Sequence, residues 1–304
     1  MSSGLTQRRR NNAGADSADD HPEGRTSETR NPAPSDSRND RQGDNDVDDD
    51  GFDDYDKGGK GSNKLTLLEE VLLMGLKDAQ GYLSFWNDNI SYVLRGCILM
   101  ELSLRNRVKT VMEIRKRPYA DRFLEVIDER PTGEVLLDET LKLIKIDQQS
   151  IASWIDLLSG ETWNLLKINY QLKQVRERIA KGLVDKGVLR TEKRNFVLFD
   201  MATHPVADHS VKEELIRRTV DCLLGRGPQP PDRRTVAMVC AAYAANVLEN
   251  ALLHLSHAQR ESCFQKVDEM LQEHASLTQK AISGGTTEVM AGVFSVYTKM
   301  DNIL

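Results

Sequence analysis

Large apolar residues are nearly missing from the first 63 residues of this chain. Between Met1 and Ser62 only Met1, Leu5, Val47, Phe52 and Tyr55 interrupt a run of Asp, Asn, Ser, Gly and Arg. Such a segment cannot bury enough surface to offset its ordering entropy. Residues 1–63 are therefore expected to be a disordered acidic tail, and residues 64–304 a single folded domain. Net charge is missing from that domain. The tail holds 9 of the 41 Lys/Arg and 15 of the 47 Asp/Glu, which leaves 32 of each sign. A neutral domain is a poor coat for nucleic acid. Paired cysteines are missing too: Cys97, Cys222, Cys240 and Cys263 lie far apart with no CxxC. Each is expected to be reduced and buried, as in the cytosol. No signal peptide is expected in so polar a beginning. No apolar run reaches the roughly 20 residues that cross a bilayer. The longest, Val236 to Leu248, is about 13 residues and suits a central buried helix.

Catalytic constellations are missing as well. His204, Asp208 and His209 have no supporting Cys or carboxylate cluster, and His254 and His257 lack the glutamate of an HExxH helix. Gly58 to Ser62 has Asp54 where a phosphate loop needs glycine, and no strand precedes it. No metal, no cofactor and no enzymatic activity are expected.

What is present is helical periodicity. Thr66 followed by Glu69 fits a capping box ahead of Val71, Leu72 and Leu76. A second helix runs from about Asn89 to Arg105, capped by Asn87 or Asp88. Val108–Ile114 and Phe123–Ile127 suit a small hairpin around Arg117-Pro118. Further helices are expected after Thr132-Gly133, carrying Val135, Leu136, Leu141 and Ile144 inward, then at Ile151–Leu158, Trp163–Gln171, Val175–Lys186, Ser210–Leu224, Arg233–Leu255, Ala258–Leu277 and Glu288–Met300. Val188–Arg190 and Phe196–Asp200 flank a polar turn, Thr191 to Asn195, which reads as a second hairpin. The fold class is mainly α: one helical domain around a central apolar bundle, with one or two β-hairpins.

Gly81 to Gly96 reads GYLSFWNDNISYVLRG. It places Trp86 just ahead of a helix start and Arg95 about two turns inside. Trp favours the boundary between water and lipid, and Arg grips a phosphate bidentately. Treated as one helix at 100° per residue, Ile168 to Leu183 buries Ile168, Leu172, Val175, Ile179 and Leu183. Arg176 and Lys173 then fall on one flank near about 80° and 140°, and Arg178 on the other near about 280°. Lys and Arg beside a buried stripe often only cover apolar surface with their stems. The alternative is a phosphate pocket, completed if another element brings Arg95 and Trp86 to that flank.

The strings LTLLEEVLLMGLKD, GYLSFWNDNISYVLRGC, PTGEVLLDETLK, LLSGETWN, YQLKQVRERIAKGLVDKGVL and TEKRNFVLFDMATHP resemble the Golgi phosphoprotein 3 family, its fungal vacuolar-sorting members in particular, from Lys64 to about Lys299. The resemblance implies a helical domain with a projecting β-hairpin, in a protein peripheral to the cytosolic face of Golgi membranes. It implies a phosphatidylinositol 4-phosphate site at Trp86, Arg95, Lys173 and Arg176, with Lys173 where animal members carry Arg. It implies an adaptor that links the cytosolic tails of Golgi glycosyltransferases to coatomer in retrograde vesicles, so that those enzymes are retained. Arg95→Ala and Arg176→Ala are then expected to release the protein from membranes with its fold intact.

By the same resemblance Arg8, Arg9 and Arg10 are expected to engage coatomer. The run Asp44 to Asp56, eight Asp and no base, would hold the tail off an anionic bilayer or act as a spacer. Val188, Leu189, Phe196, Val197, Leu198 and Phe199 are expected on the hairpin. Strand alternation buries one face of the Phe196–Phe199 run, which leaves the other for packing within the domain or for a partner. The family uses this hairpin for homo-oligomerisation and membrane attachment. The alternative function is a winged-helix nucleic-acid binder, since helix, strand, basic turn and strand follow one another from Arg176 to Asp200.

Overall fold

Thr66 opens the first helix with the reciprocal cap its spacing predicts. Its hydroxyl accepts from the Glu69 N–H at 3.3 Å, and the Glu69 carboxylate accepts from the Thr66 N–H at 2.7 Å. Helix α1 (Leu67–Gly75) is buried along its whole length, so it lies inside the bundle. The computed structural model describes residues 65–81, 89–112, 117–162, 164–196, 199–276 and 286–300. Helix α2 (Asn89–Leu104) is buried from Val93 onward and runs beside α1. Strands β1 (Val108–Thr110) and β2 (Leu124–Val126) pair antiparallel, Val108 opposite Val126. Helices α3 (Val135–Ile146), α4 (Ile151–Ser159) and α5 (Val175–Asp185) follow, and then β3 (Glu192–Phe196) with β4 (Phe199–Thr203). The chain continues through α6 (His209–Leu223), α7 (Arg233–Ala244), the short α8 (Glu249–Leu252), α9 (His257–Ser276) and α10 (Thr286–Met300). The fold is mainly helical with two small two-stranded antiparallel sheets.

Helix α7, the apolar run singled out in the sequence, packs against α1, α2, α9 and α10. Helix α10 approaches α2 closely at Gly96, where a Cβ would lie 2.2 Å from the Tyr297 hydroxyl. That hydroxyl donates to the Val93 carbonyl at 2.8 Å, so the absence of a side chain at 96 permits the contact. All four cysteines are buried and free. No described helix is long and apolar enough to cross a membrane.

Charges inside the bundle tie helices together. Arg234 on α7 donates through Nη1 to both oxygens of Glu101, at 3.2 and 3.0 Å, and through Nη2 to the Leu65 carbonyl at 2.6 Å. Glu101 also accepts from Arg105 Nε and from the Leu67 N–H, each at 2.8 Å. Burial opposes ionisation of Glu101, but Arg234 and Arg105 outweigh it and hold the carboxyl below its usual range. For Glu70 burial wins over Arg234 and Arg218, and its pKa is raised.

Four expectations are corrected. Ile168 to Leu183 is not one helix. A 3-10 turn covers Leu165–Tyr170, Gln174 takes a left-handed φ of 53°, and α5 begins only at Val175. The Leu172 N–H bonds back to the Leu158 carbonyl at 3.0 Å, which breaks the helical ladder, and Ile168 is exposed. Second, the residues read as a polar turn form β3 itself, and the chain reverses between Phe196 and Phe199. Val188 and Leu189 precede that hairpin and are buried in the core, with Leu189 bridged to Val206. Third, Arg233–Leu255 breaks at Asn246, whose φ of 55° suits an Asn in left-handed conformation. Fourth, Val135 is exposed at the start of α3, while Leu136, Leu141 and Ile144 face inward.

Candidate functional site

Ser91 in the first turn of α2 is the meeting point of two guanidinium groups. Its hydroxyl accepts from Arg176 Nε at 2.8 Å, and its carbonyl accepts from Arg95 Nη1 at 2.5 Å. Arg95 lies one turn further along α2, so the i, i+4 spacing brings its side chain back over Ser91. Arg176 sits in the first turn of α5. The Ser91 hydroxyl therefore ties α5 to α2 through Arg176, while the carbonyl of the same residue holds Arg95 beside it.

Arg95 is 7% exposed and uses its remaining donors on two more carbonyls, Nε to Leu158 at 3.3 Å and Nη2 to Leu172 at 3.0 Å. Among the described residues it makes no ion pair. Its hydrogen-bond partners among the described residues are all backbone carbonyls. Burial lowers its pKa to about 10; the like charge of Arg176 adds to the fall and Glu161 opposes it. A desolvated cation beside a second cation is the electrostatic setting that an incoming anion relieves.

Lys173 is exposed, just ahead of α5. The left-handed Gln174 separates it from that helix, so it stands on the loop ahead of α5 and not on the helical face of Arg176. Trp86, Arg8, Arg9, Arg10, Val197 and Leu198 lie outside the described residues, as do the side chains of Phe196 and Phe199. The residue on the near side of the Trp86 segment is well placed. The Gly81 carbonyl accepts from the His204 N–H at 2.9 Å, and a Cβ at Gly81, whose φ is 67°, would strike the His204–Pro205 backbone. His204 lies near α5: burial lowers its pKa while the charge of Glu177 opposes that fall.

Other candidates are occupied by structural work. Asp208 caps α6 by accepting from the Ser210 N–H at 2.9 Å, and His209 stands 3.8 Å from Asp78. Among the described residues no group of three or more His, Cys, Asp or Glu could hold a metal. A cleft of about 240 Å³ lies elsewhere, between the starts of α1 and α3 and one side of α5. Its lining sets Arg178 and Lys181 against three carboxylates, Glu69, Glu134 and Asp185, and Arg178 is paired with Glu139 at 2.5 Å. It has no surplus charge with which to attract an anion, so the arginine pair is the stronger candidate.

Ser91 was not singled out in the sequence. Its place four residues before Arg95 was legible as a helical neighbour. Its bond to Arg176 depends on tertiary packing and left no local signal.

A family model described as Golgi phosphoprotein 3 matches residues 67–284. The chain is 51% identical to "Vacuolar protein sorting-associated protein 74" of Schizosaccharomyces pombe over 279 aligned residues, covering 79% of this chain and 83% of the relative. It is 49% identical to the protein of the same name from Eremothecium gossypii, covering 79% of this chain and 84% of the relative.

Proposed function

The chain belongs to the Golgi phosphoprotein 3 family, and on that premise we propose that it is a non-enzymatic, peripheral adaptor on the cytosolic face of Golgi membranes. It recognises phosphatidylinositol 4-phosphate and links the cytosolic tails of Golgi glycosyltransferases to coatomer, so that those enzymes are recycled. The observation that carries the lipid step is the convergence of Arg95 and Arg176 on Ser91, with Arg95 buried and, among the described residues, without an ion pair. In this reading Arg176 and Lys173 supply charge and hydrogen bonds to the phosphomonoester, and Arg95 supplies positive potential from beneath. Trp86 anchors at headgroup level. The hairpin tip at Phe196–Phe199 serves self-association, and an oligomer multiplies weak headgroup contacts into firm attachment.

Flotation with vesicles containing each phosphoinositide tests the lipid step. Vesicles with phosphatidylinositol 4-phosphate should retain the full chain, and duplex DNA at physiological salt should not. Arg176→Ala should weaken retention by about tenfold to a hundredfold, the worth of one charge-assisted hydrogen bond. Retention of that variant at the wild-type level would remove Arg176 from the site. The coatomer step is tested separately. Replacing Arg8, Arg9 and Arg10 together with Ala should abolish capture of coatomer and leave vesicle binding unchanged. Undiminished capture would withdraw that role.

A further inference from the structure

The chain leaves the bundle after α4 and returns to it at Leu172 through one narrow neck. The Leu172 N–H donates to the Leu158 carbonyl at 3.0 Å, and Arg95 bonds the carbonyls of both those residues, at 3.3 and 3.0 Å. The excursion contains the 3-10 turn Leu165–Tyr170, which is held firmly on its inner side. Lys167 pairs with Asp147 at 3.1 Å on that side, while Asn164 Oδ1 caps the turn locally by accepting from the Leu166 N–H at 3.0 Å. The Tyr170 ring centroid lies 5.8 Å from that of the buried Trp154. Gln171 Nε2 closes the base by donating to the Ser159 carbonyl at 3.3 Å. The outer side carries Leu165 and Leu166, which are 83% and 87% exposed. Adjacent leucines presented to water by a turn fixed from behind mark a contact surface.

We propose that this turn is a second membrane contact, in which Leu165 and Leu166 enter the acyl boundary of the bilayer whose headgroup is held at the arginine pair. The inference rests on the headgroup reading above and deepens it. Bilayer is favoured as the occupant because the turn is continuous with the headgroup site. Arg95 belongs to both, as a cation of the site and as the tie that closes the neck. The return strand of the excursion leads directly into Lys173 and then Arg176. Apolar side chains next to headgroup-binding cations are the usual composition of an interfacial anchor, apolar part in the acyl boundary and charge at headgroup level. This contact is distinct from the β3–β4 hairpin.

The test uses the full chain carrying Leu165→Ser and Leu166→Ser together. These side chains are exposed, so the substitutions leave the core intact. Binding is measured to phosphatidylcholine vesicles containing phosphatidylinositol 4-phosphate and to the water-soluble headgroup glycerophosphoinositol 4-phosphate. Vesicle binding should fall about a hundredfold, since each leucine contributes roughly tenfold or more in partitioning, while headgroup binding stays at the wild-type value. Leu166→Cys carrying an environment-sensitive dye should shift to the blue on those vesicles, and the buried native cysteines leave the new thiol as the reactive one. A double variant that binds vesicles like wild type overturns this inference alone. So does one that changes its oligomeric state by sedimentation with vesicle binding per protomer unchanged, which would make a second copy the occupant. Wild-type protein that binds neither vesicle nor headgroup removes the headgroup reading and this inference with it.

Discussion

Glu101→Ala is expected to lower the free energy of unfolding by about 3–5 kcal/mol, because it strips a buried arginine of its nearest counter-charge. Arg234 sits within the bundle, and Glu101 is the carboxylate it grips with both oxygens. Removal of Glu101 takes away its nearest carboxylate and leaves Glu70, 3.8 Å from Nη2, as the more distant counter-charge, in a medium where a poorly compensated ion is costly. It also takes the acceptor from the Leu67 N–H, the first donor of α1, and from Arg105. Contacts that join α1, α2 and α7 therefore fail together. Such a loss is a large share of the roughly 5–15 kcal/mol that holds a typical domain folded. Chemical denaturation measures it. Glu101→Leu combined with Arg234→Met should cost far less, since removing both ions of a buried pair is often nearly neutral. A single variant that loses under about 1 kcal/mol would mean that water reaches Arg234 and the pair is not sealed.

Local chemistry was legible in the sequence where a motif acts over a few residues. Thr66 and Glu69 cap α1 reciprocally because both partners lie within one turn. The apolar run from Val236 onward forms a buried helix because nothing polar interrupts it before Asn246. Fold and pattern diverge where two signals compete. The Phe196–Phe199 run has the stronger β propensity, yet it only ends β3 and begins β4, and the rest of β3 is the polar Glu192–Asn195 segment, because cross-strand ladder bonds do not require apolar side chains. The break before α5 carried no mark at all. Gln174 is neither Gly nor Asn, the residues that usually announce a left-handed conformation. A continuous helix through that point would have put Lys173 and Arg176 on one face. The fold instead brings Arg176 to Arg95 through Ser91 and leaves Lys173 in the loop ahead. The closing of the excursion by Arg95 is a contact between α2 and two distant carbonyls, and periodicity along a single element cannot reveal it.

That closing contact changes what Arg95→Ala should do. On sequence alone the variant was expected to keep its fold and lose only the membrane. Arg95 instead bonds three backbone carbonyls, those of Ser91, Leu158 and Leu172. Bonds from an ion are worth about 1.5–3 kcal/mol each, partly recovered when freed carbonyls reach water. We therefore expect the neck at Leu158 and Leu172 to loosen by about 3 kcal/mol, with the helical bundle and its circular dichroism little changed. Amide exchange reads this directly. The Leu172 N–H, bonded to Leu158, should exchange about a hundredfold faster in Arg95→Ala and at the wild-type rate in Arg176→Ala. Arg95→Lys separates charge from clamp. Its ammonium keeps the cation but has no planar fork with which to span the carbonyls, so the neck should still open. If Leu172 stays equally protected in Arg95→Ala, the neck holds without the guanidinium and Arg95 serves the anion site alone. If it opens in both Arg95 variants but not in Arg176→Ala, membrane loss in the Arg95 variants reports two failures at once. Arg176 is then the position at which headgroup binding can be removed with the neck intact.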